Sequence, residues 1–355
     1  MEIIRGNQAI TKPDIAKHAK LSLPTVNKII TSLIEENILC ETGLNMEGIG
    51  RRAQLYKINS QFGYIVVIYI QSKQITGVLN DFDANVIFNH AIPLAGVDTQ
   101  SVISCIDEVF CAAKAACPFP DKIKMLCVSV PGAVHANGEI SNIPQIAGLE
   151  DINLKSILRQ KYELPIYIEN DVNLITLGTF IIQSMSCKAS IIYLYFGDGI
   201  GSGIIIGDKI YKGLDSVSGE VGNMLIITDG GPQSLETVIK EKLADLQREY
   251  GFATLRELGG MIDNVAHDRL IPLLNSITCA VYNTVCLFNP DLILLQGDYF
   301  TPKFADKIQS GVELKMNTEL KVHTRISFLY ENHNIKGAVY ACLQEYFTKH
   351  LFPGG

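Results

Sequence analysis

The chain has 355 residues, 47% of them hydrophobic and 19% charged, with a formal net charge of −7. This length accommodates two or three domains with full cores, and this composition excludes a disordered or low-complexity chain. The acidic balance also excludes a generic nucleic-acid coat protein, but the charge is uneven. Residues 1–60 carry eight Lys or Arg against six acids, a net +2, which leaves −9 on the rest. A slightly basic head on an acidic body fits a DNA-reading module attached to something else. The nine cysteines are scattered without a Cys-x-x-Cys pair, which predicts reduced, buried thiols and no disulfide framework. The apolar run Ile65–Ile70 gives way to Gln71, Ser72 and Lys73, so it reads as a buried strand, and no membrane span is expected. The first residues lack a basic-then-apolar leader, which points to the cytoplasm.

Residues 1–60 read as a winged helix-turn-helix. Only Met1 to Asn7 precede its first clear helix, so any leading helix is short. Thr11-Lys12-Pro13-Asp14 opens a helix, with Thr11 as N-cap and Pro13 in the first turn, where its missing N–H has no helical partner. Leu21-Ser22 makes a tight turn, and Ser22 caps a second helix that runs to about Glu36. Val26, Ile29, Ile30, Leu33 and Ile34 recur at helical spacing and are expected to face inward. Ser22, Leu23, Thr25, Asn27, Lys28 and Thr31 are left outside, a polar face that suits major-groove contact. Residues 38–42 and 53–58 alternate as two strands, and Arg51-Arg52 at the exit of the joining loop makes a wing suited to phosphates or the minor groove.

From Gly63 the pattern becomes α/β. Tyr64–Ile70, Gln74–Asn80 and Val86–Pro93 read as successive strands, with a hairpin turn at 81–85. A helix at about 99–116, a strand at 123–130, a helix at about 154–162 and a strand at 166–169 complete a unit of the ribonuclease-H type. A similar order restarts at Ser190, with strands at 191–195, 203–206 and 292–295, helices within 234–287 and a last helix at 335–347. The fold class is therefore α/β, an N-terminal winged helix-turn-helix followed by a two-lobed actin-like or sugar-kinase-like body. The expected division is 1–60, 61–170 with the C-terminal helix 335–350 packing back on it, and 171–334.

Five motifs in order support a family. They are Val130-Pro131-Gly132 with Asn137-Gly138, Glu169-Asn170-Asp171-Val172-Asn173, Gly197-Asp198-Gly199-Ile200-Gly201-Ser202-Gly203, Gly219-Glu220-Val221-Gly222-Asn223 and Ser234-Leu235-Glu236. Together they resemble the ROK family of bacterial repressors and sugar kinases over essentially the whole chain, and the winged helix with Gly50-Arg51-Arg52 resembles its repressor branch. The resemblance implies a sugar in the cleft between lobes, met by Asn170, Asp171, Glu220, Asn223 and Glu236. Asp171 would stand at the position of the kinase general base. Gly197 to Gly203 would be a phosphate-holding hairpin.

The departures from that family are equally informative. Where its kinases carry Asp-x-Gly-Gly-Thr-Lys, this chain has Tyr69 at the Asp and Gln71-Ser72 at the glycines, so no carboxylate is left there to organise Mg²⁺. The glycine pair near Gln296-Gly297-Asp298 is incomplete. Asn223 replaces the zinc-binding His, and residues 229–234 hold none of the family's three cysteines, so neither zinc nor ATP is expected as a cofactor. Gln145 after Pro144 replaces an expected Asn. The reading is a transcriptional regulator of carbohydrate genes, a repressor rather than an enzyme. It would bind operator DNA as a homodimer or homotetramer and respond to a sugar. Two alternatives stay open: a regulator that has lost its sugar and answers to a protein partner, and an active sugar kinase.

Overall fold

The computed structural model describes residues 2–5, 9–44, 53–183, 189–197, 199–207, 209–228, 230–316, 323–329 and 333–351. The chain divides into two compact units, 1–171 with 335–355 and 172–334.

In the first unit a short helix α1 (Glu2–Arg5) and strand β1 (Ile10–Thr11) precede α2 (Lys12–Ala19) and α3 (Leu23–Glu35). Both longer helices start as the sequence dictates. Thr11 Oγ1 accepts from the Asp14 N–H at 3.3 Å and Ser22 Oγ from the Thr25 N–H at 3.3 Å. These side chains satisfy amides that have no partner inside the helix. Lys20 closes α2 in the left-handed region at φ 55°. Strands β2 (Leu39–Leu44) and β3 (Gln54–Ile58) complete an antiparallel sheet in the order β1-β3-β2. The wing tip, including Arg51 and Arg52, lies outside the described residues. One inward expectation fails. Val26, Ile30 and Leu33 are buried, but Ile29 is 45% exposed. The small module covers only a narrow stripe at i, i+4 and i+7, and Ile29 lies off that stripe.

The first lobe begins with β4 (Tyr64–Ile70), β5 (Gln74–Asp81) and β6 (Val86–Pro93), all at or within a residue of the expected positions. After α4 (Thr99–Ala115) and β7 (Ile123–Val130) come three short strands that the sequence did not suggest, β8 (Ala133–Val134), β9 (Glu139–Ser141) and β10 (Ile152–Asn153). Helix α5 (Leu154–Lys161) and β11 (Ile166–Asn170) follow. The main sheet has the order β11-β7-β4-β5-β6, with β4, β7 and β11 parallel. Its α4 side is apolar, lined by Val66, Ile68, Val128 and Ile168 among others. The next helix, α6 (Asp171–Ile182), starts at the unit boundary and was not foreseen.

The second unit repeats this strand order. Strands β12 (Ser190–Phe196), β13 (Ile200–Ile206) and β14 (Lys209–Ile210) are followed by the hairpin β15 (Leu225–Thr228) and β16 (Gly231–Ser234). Then come α7 (Leu235–Tyr250), α8 (Leu255–Met261), α9 (His267–Phe288), β17 (Leu292–Gly297), α10 (Pro302–Lys315) and β18 (Arg325–Phe328). The sheet order is β14-β13-β12-β17-β18, with β12, β17 and β18 parallel. Helix α9 corrects the expectation about apolar runs, because its 22 residues are long and apolar enough to cross a membrane. Here Leu270, Leu273, Ile277, Val281 and Val285 are buried in the core of this unit. The last helix, α11 (Asn334–Glu345), continues as a π-turn over Tyr346–Leu351 in the first unit. The eight described cysteines are free thiols, and Cys111 and Cys286 are exposed rather than buried.

The winged module is anchored to the first lobe at the β5–β6 turn. The Phe82 side chain is buried, and its ring centroid lies 5.9 Å from Phe62, 6.3 Å from Tyr346 and 6.2 Å from Phe347. The Phe82 N–H donates to Ser60 O at 3.2 Å. Beside it, Lys57 of β3 donates to Asp83 Oδ2 at 2.7 Å and Lys336 of α11 to Asp83 O at 3.1 Å. The hydrogen bond to Asp83 raises the Lys57 pKa, against the opposing effect of burial. Truncating Phe82 to Ala should cost about 3–5 kcal/mol of unfolding free energy in urea titration, the range for emptying a buried aromatic site. It should also make the 58–64 segment the first site of limited proteolysis.

Candidate functional site

The DNA-facing candidates cluster at the start of α3. Ser22, Leu23, Thr25, Asn27, Lys28 and Thr31 are all exposed. The Ser22 and Thr25 hydroxyls are hydrogen-bonded to each other at 2.7 Å. This contact braces the cap and uses one of the hydrogen-bonding capacities of the Thr25 hydroxyl.

The sugar-side candidates fall into two groups, described unit by unit. In the first unit, Asn170 ends β11 and its Nδ2 donates to Gly132 O at 3.0 Å. This amide braces the Val130-Pro131-Gly132 turn. Beneath it lies Glu169, 1% exposed, which sequence reasoning quoted only as part of a motif. Its carboxylate accepts from the Asn170 N–H at 3.0 Å and from the Tyr167 hydroxyl at 3.1 Å. Burial, then the Glu169 charge, pushes the Tyr167 phenol well above its usual range and keeps it a donor. Asp171 opens α6 half-buried, at the end of the helix where a negative charge is favoured.

In the second unit, Glu220 and Glu236 come together. A 3-10 turn at Val221–Asn223 follows Glu220, and Ser234 caps α7 by accepting from the Thr237 N–H, which sets Glu236 in the first turn. Gly222 permits the approach. A Cβ there would meet Glu236 Oε2 at 2.9 Å and Ile200 O at 2.7 Å. Glu236 is ion-paired to Lys240, a pairing the sequence offered at i,i+4 spacing but which was not singled out. Burial, then the neighbouring Glu236 carboxylate, raises the Glu220 pKa. Asn223 shares the turn, with its N–H donating to Glu220 O at 3.1 Å, and its side chain is exposed. The carboxylate pair offers several acceptors to a ligand with many hydroxyls.

Tyr69 and the Gly-rich hairpin stand at the two places where the resemblance implied phosphate loops. The Tyr69 hydroxyl is buried with no hydrogen-bond partner among the described residues. Burial, then Cys127 and Cys342, raises its pKa. In the second unit the Gly-rich hairpin is packed at Gly197, while Gly199 has open space around it. The Tyr195 hydroxyl donates to the Asp298 carboxylate at 3.0 Å, and a Cβ on Gly197 would meet these groups at 2.1 and 2.8 Å. Asp198 itself lies outside the described residues.

The fold and these sites describe a winged-helix module on a body of sugar-kinase architecture. The ROK family profile matches residues 72–340, well over half of the chain, and the chain belongs to the ROK family. It is 26% identical over 339 residues to the xylose repressor of Bacillus spizizenii, covering 90% of this chain and 86% of that protein. Among solved structures it resembles a ROK family transcriptional regulator described as a homologue of the Escherichia coli MLC protein. That match has a TM-score of 0.76 and 19% identity, over 95% of this chain and 92% of that one. The ROK hexokinase of Thermus thermophilus matches with a TM-score of 0.66 and 17% identity, over 80% of this chain and all of that one.

The carboxyl pair predicts a pH dependence. Glu220 keeps its proton to a higher pH in the folded chain than its ordinary value of 4.5. The folded state therefore binds more protons over the window that opens at that value, and this contribution to stability falls as pH rises through it. Glu236→Gln removes one cause of the shift, so urea titrations across this window should show a shallower fall in the variant than in the parent.

Proposed function

We propose that this protein is a transcriptional repressor that binds operator DNA through α3 and the wing and is released from it by D-xylose or a closely related pentose. The carrying observation is the exposed face of α3 on a capped winged helix, joined to a ROK body that keeps Asn170, Asp171, Glu220 and Glu236. The xylose repressors among its relatives support the choice of sugar. Tyr69 in place of the kinase Asp and Gln71-Ser72 in place of its glycines argue against use of ATP, and the replacement of the zinc-site residues by Asn223 and the 229–234 segment argues against a structural zinc. A dimer would present two α3 helices to half-sites about 34 Å apart, or a multiple of that.

Fluorescence polarisation with the DNA upstream of the protein's own gene tests this reading. The expected result is retention at moderate salt and a loss of affinity of about 5–150-fold on adding D-xylose, the span of ordinary allosteric coupling. Absence of retention would overturn the repressor reading. Retention with no thermal shift from any pentose or hexose would favour regulation by a protein partner, the reading to which the exposed Asn223 in place of a histidine points. ATP-dependent phosphorylation of a sugar, abolished in Asp171→Asn, would return the protein to the kinases.

A further inference from the structure

The exposed surface of α3 has a narrow chemistry. Between Ala9 and Leu44 the chain contains no arginine and no glutamine. Bidentate pairing of arginine with guanine, the commonest specific base contact, is therefore not available to either helix. The exposed residues of the first half of α3 are Leu23, Pro24, Thr25, Asn27, Lys28 and Ile29. Leu23 is 44% and Ile29 45% exposed, which leaves two large apolar side chains open to a partner on this helix. Thr25 adds a methyl to them, beside a hydroxyl hydrogen-bonded to Ser22 Oγ at 2.7 Å. Asn27 is the one amide in the set, and an amide matches the N6 and N7 edge of adenine.

We infer that α3 reads A·T base pairs, with Leu23 and the Thr25 methyl packed on thymine C5-methyl groups and Asn27 paired with adenine. Lys28 is the cation of this face and is the side chain suited to a guanine. The major-groove edge of thymine is the one base edge that offers a methyl, so apolar side chains at the tip of a recognition helix have their natural contact there. This inference rests on the DNA-binding reading above and names what that surface recognises.

The test uses the full chain and a library of randomised duplexes, selected at moderate salt. The enriched half-sites should be dominated by A·T pairs. Replacing their thymines by deoxyuridine keeps every hydrogen-bonding group and removes only the methyls. Affinity should fall about fourfold for each thymine methyl that packs on the helix, the worth of one buried methyl-sized group. Leu23→Ala, at an exposed position that leaves the fold intact, should bind thymine and deoxyuridine equally well at the base pair Leu23 meets. Asn27→Ala should lose preference at one adenine. G·C-rich half-sites, or equal affinity for the thymine and deoxyuridine duplexes, would overturn the inference while leaving DNA binding standing. If no duplex is enriched at all, both readings fall.

Discussion

The winged module meets the rest of the first unit at the turn that carries Phe82 and Asp83. Phe82 projects from the β5–β6 turn, and Phe62, Tyr346 and Phe347 close around it. Five residues separate the end of β3 at Ile58 from the start of β4 at Tyr64, too few for a flexible tether. Two lysines, one from the module and one from α11, converge on Asp83. Such a partly exposed ion pair adds little stability by itself. The module itself reaches this turn through Lys57 and through Ser60 O, which accepts from the Phe82 N–H. A displacement of the lobe sheet or of α11 must therefore either carry the module with it or break the anchor, and a regulator that couples two distant sites needs such a rigid joint.

The ligand-side chemistry depends on close approach. Gly222 lets Glu236 come under the turn that holds Glu220, and the resulting pair is held at the cost of a raised Glu220 pKa. In the first unit, Asn170 and Asp171 are placed by β11 and by the buried Glu169 carboxylate, which accepts from both the Tyr167 hydroxyl and the Asn170 N–H. In the second unit Tyr195 and Asp298 meet each other beside Gly197, and in the first the Tyr69 hydroxyl is turned inward.

Much of this was legible in the sequence because it is local. The caps at Thr11 and Ser22, the strands of the first lobe and the order of the five motifs all follow from residue type and spacing. The failures have physical causes. Ile29 obeys helical periodicity, but periodicity cannot say how wide a stripe the neighbours cover. Short strands such as β8 to β10 have no repeat to detect, and α6 is so uniformly apolar that its helical period is faint. Helix α9 and a membrane span share one composition, and only burial separates them. The Phe82 anchor and the Tyr195–Asp298 pair join residues far apart in the chain, and the Glu169 support stands behind a motif rather than at its chemical end. The turn at 81–85 was read for its backbone, which gave no hint that Phe82 would hold two elements together.

The central claim is that one chain couples a sugar site to a DNA site, and thermodynamic linkage gives it a strict form. Whatever factor the sugar imposes on DNA affinity, DNA must impose on sugar affinity. The direct measurement is the dissociation constant of D-xylose, by titration calorimetry, for the free protein and for the protein saturated with an operator duplex. Release by the sugar predicts binding to the DNA complex weaker by the same factor, on the order of 5–150-fold. An identical dissociation constant in both states would contradict the account.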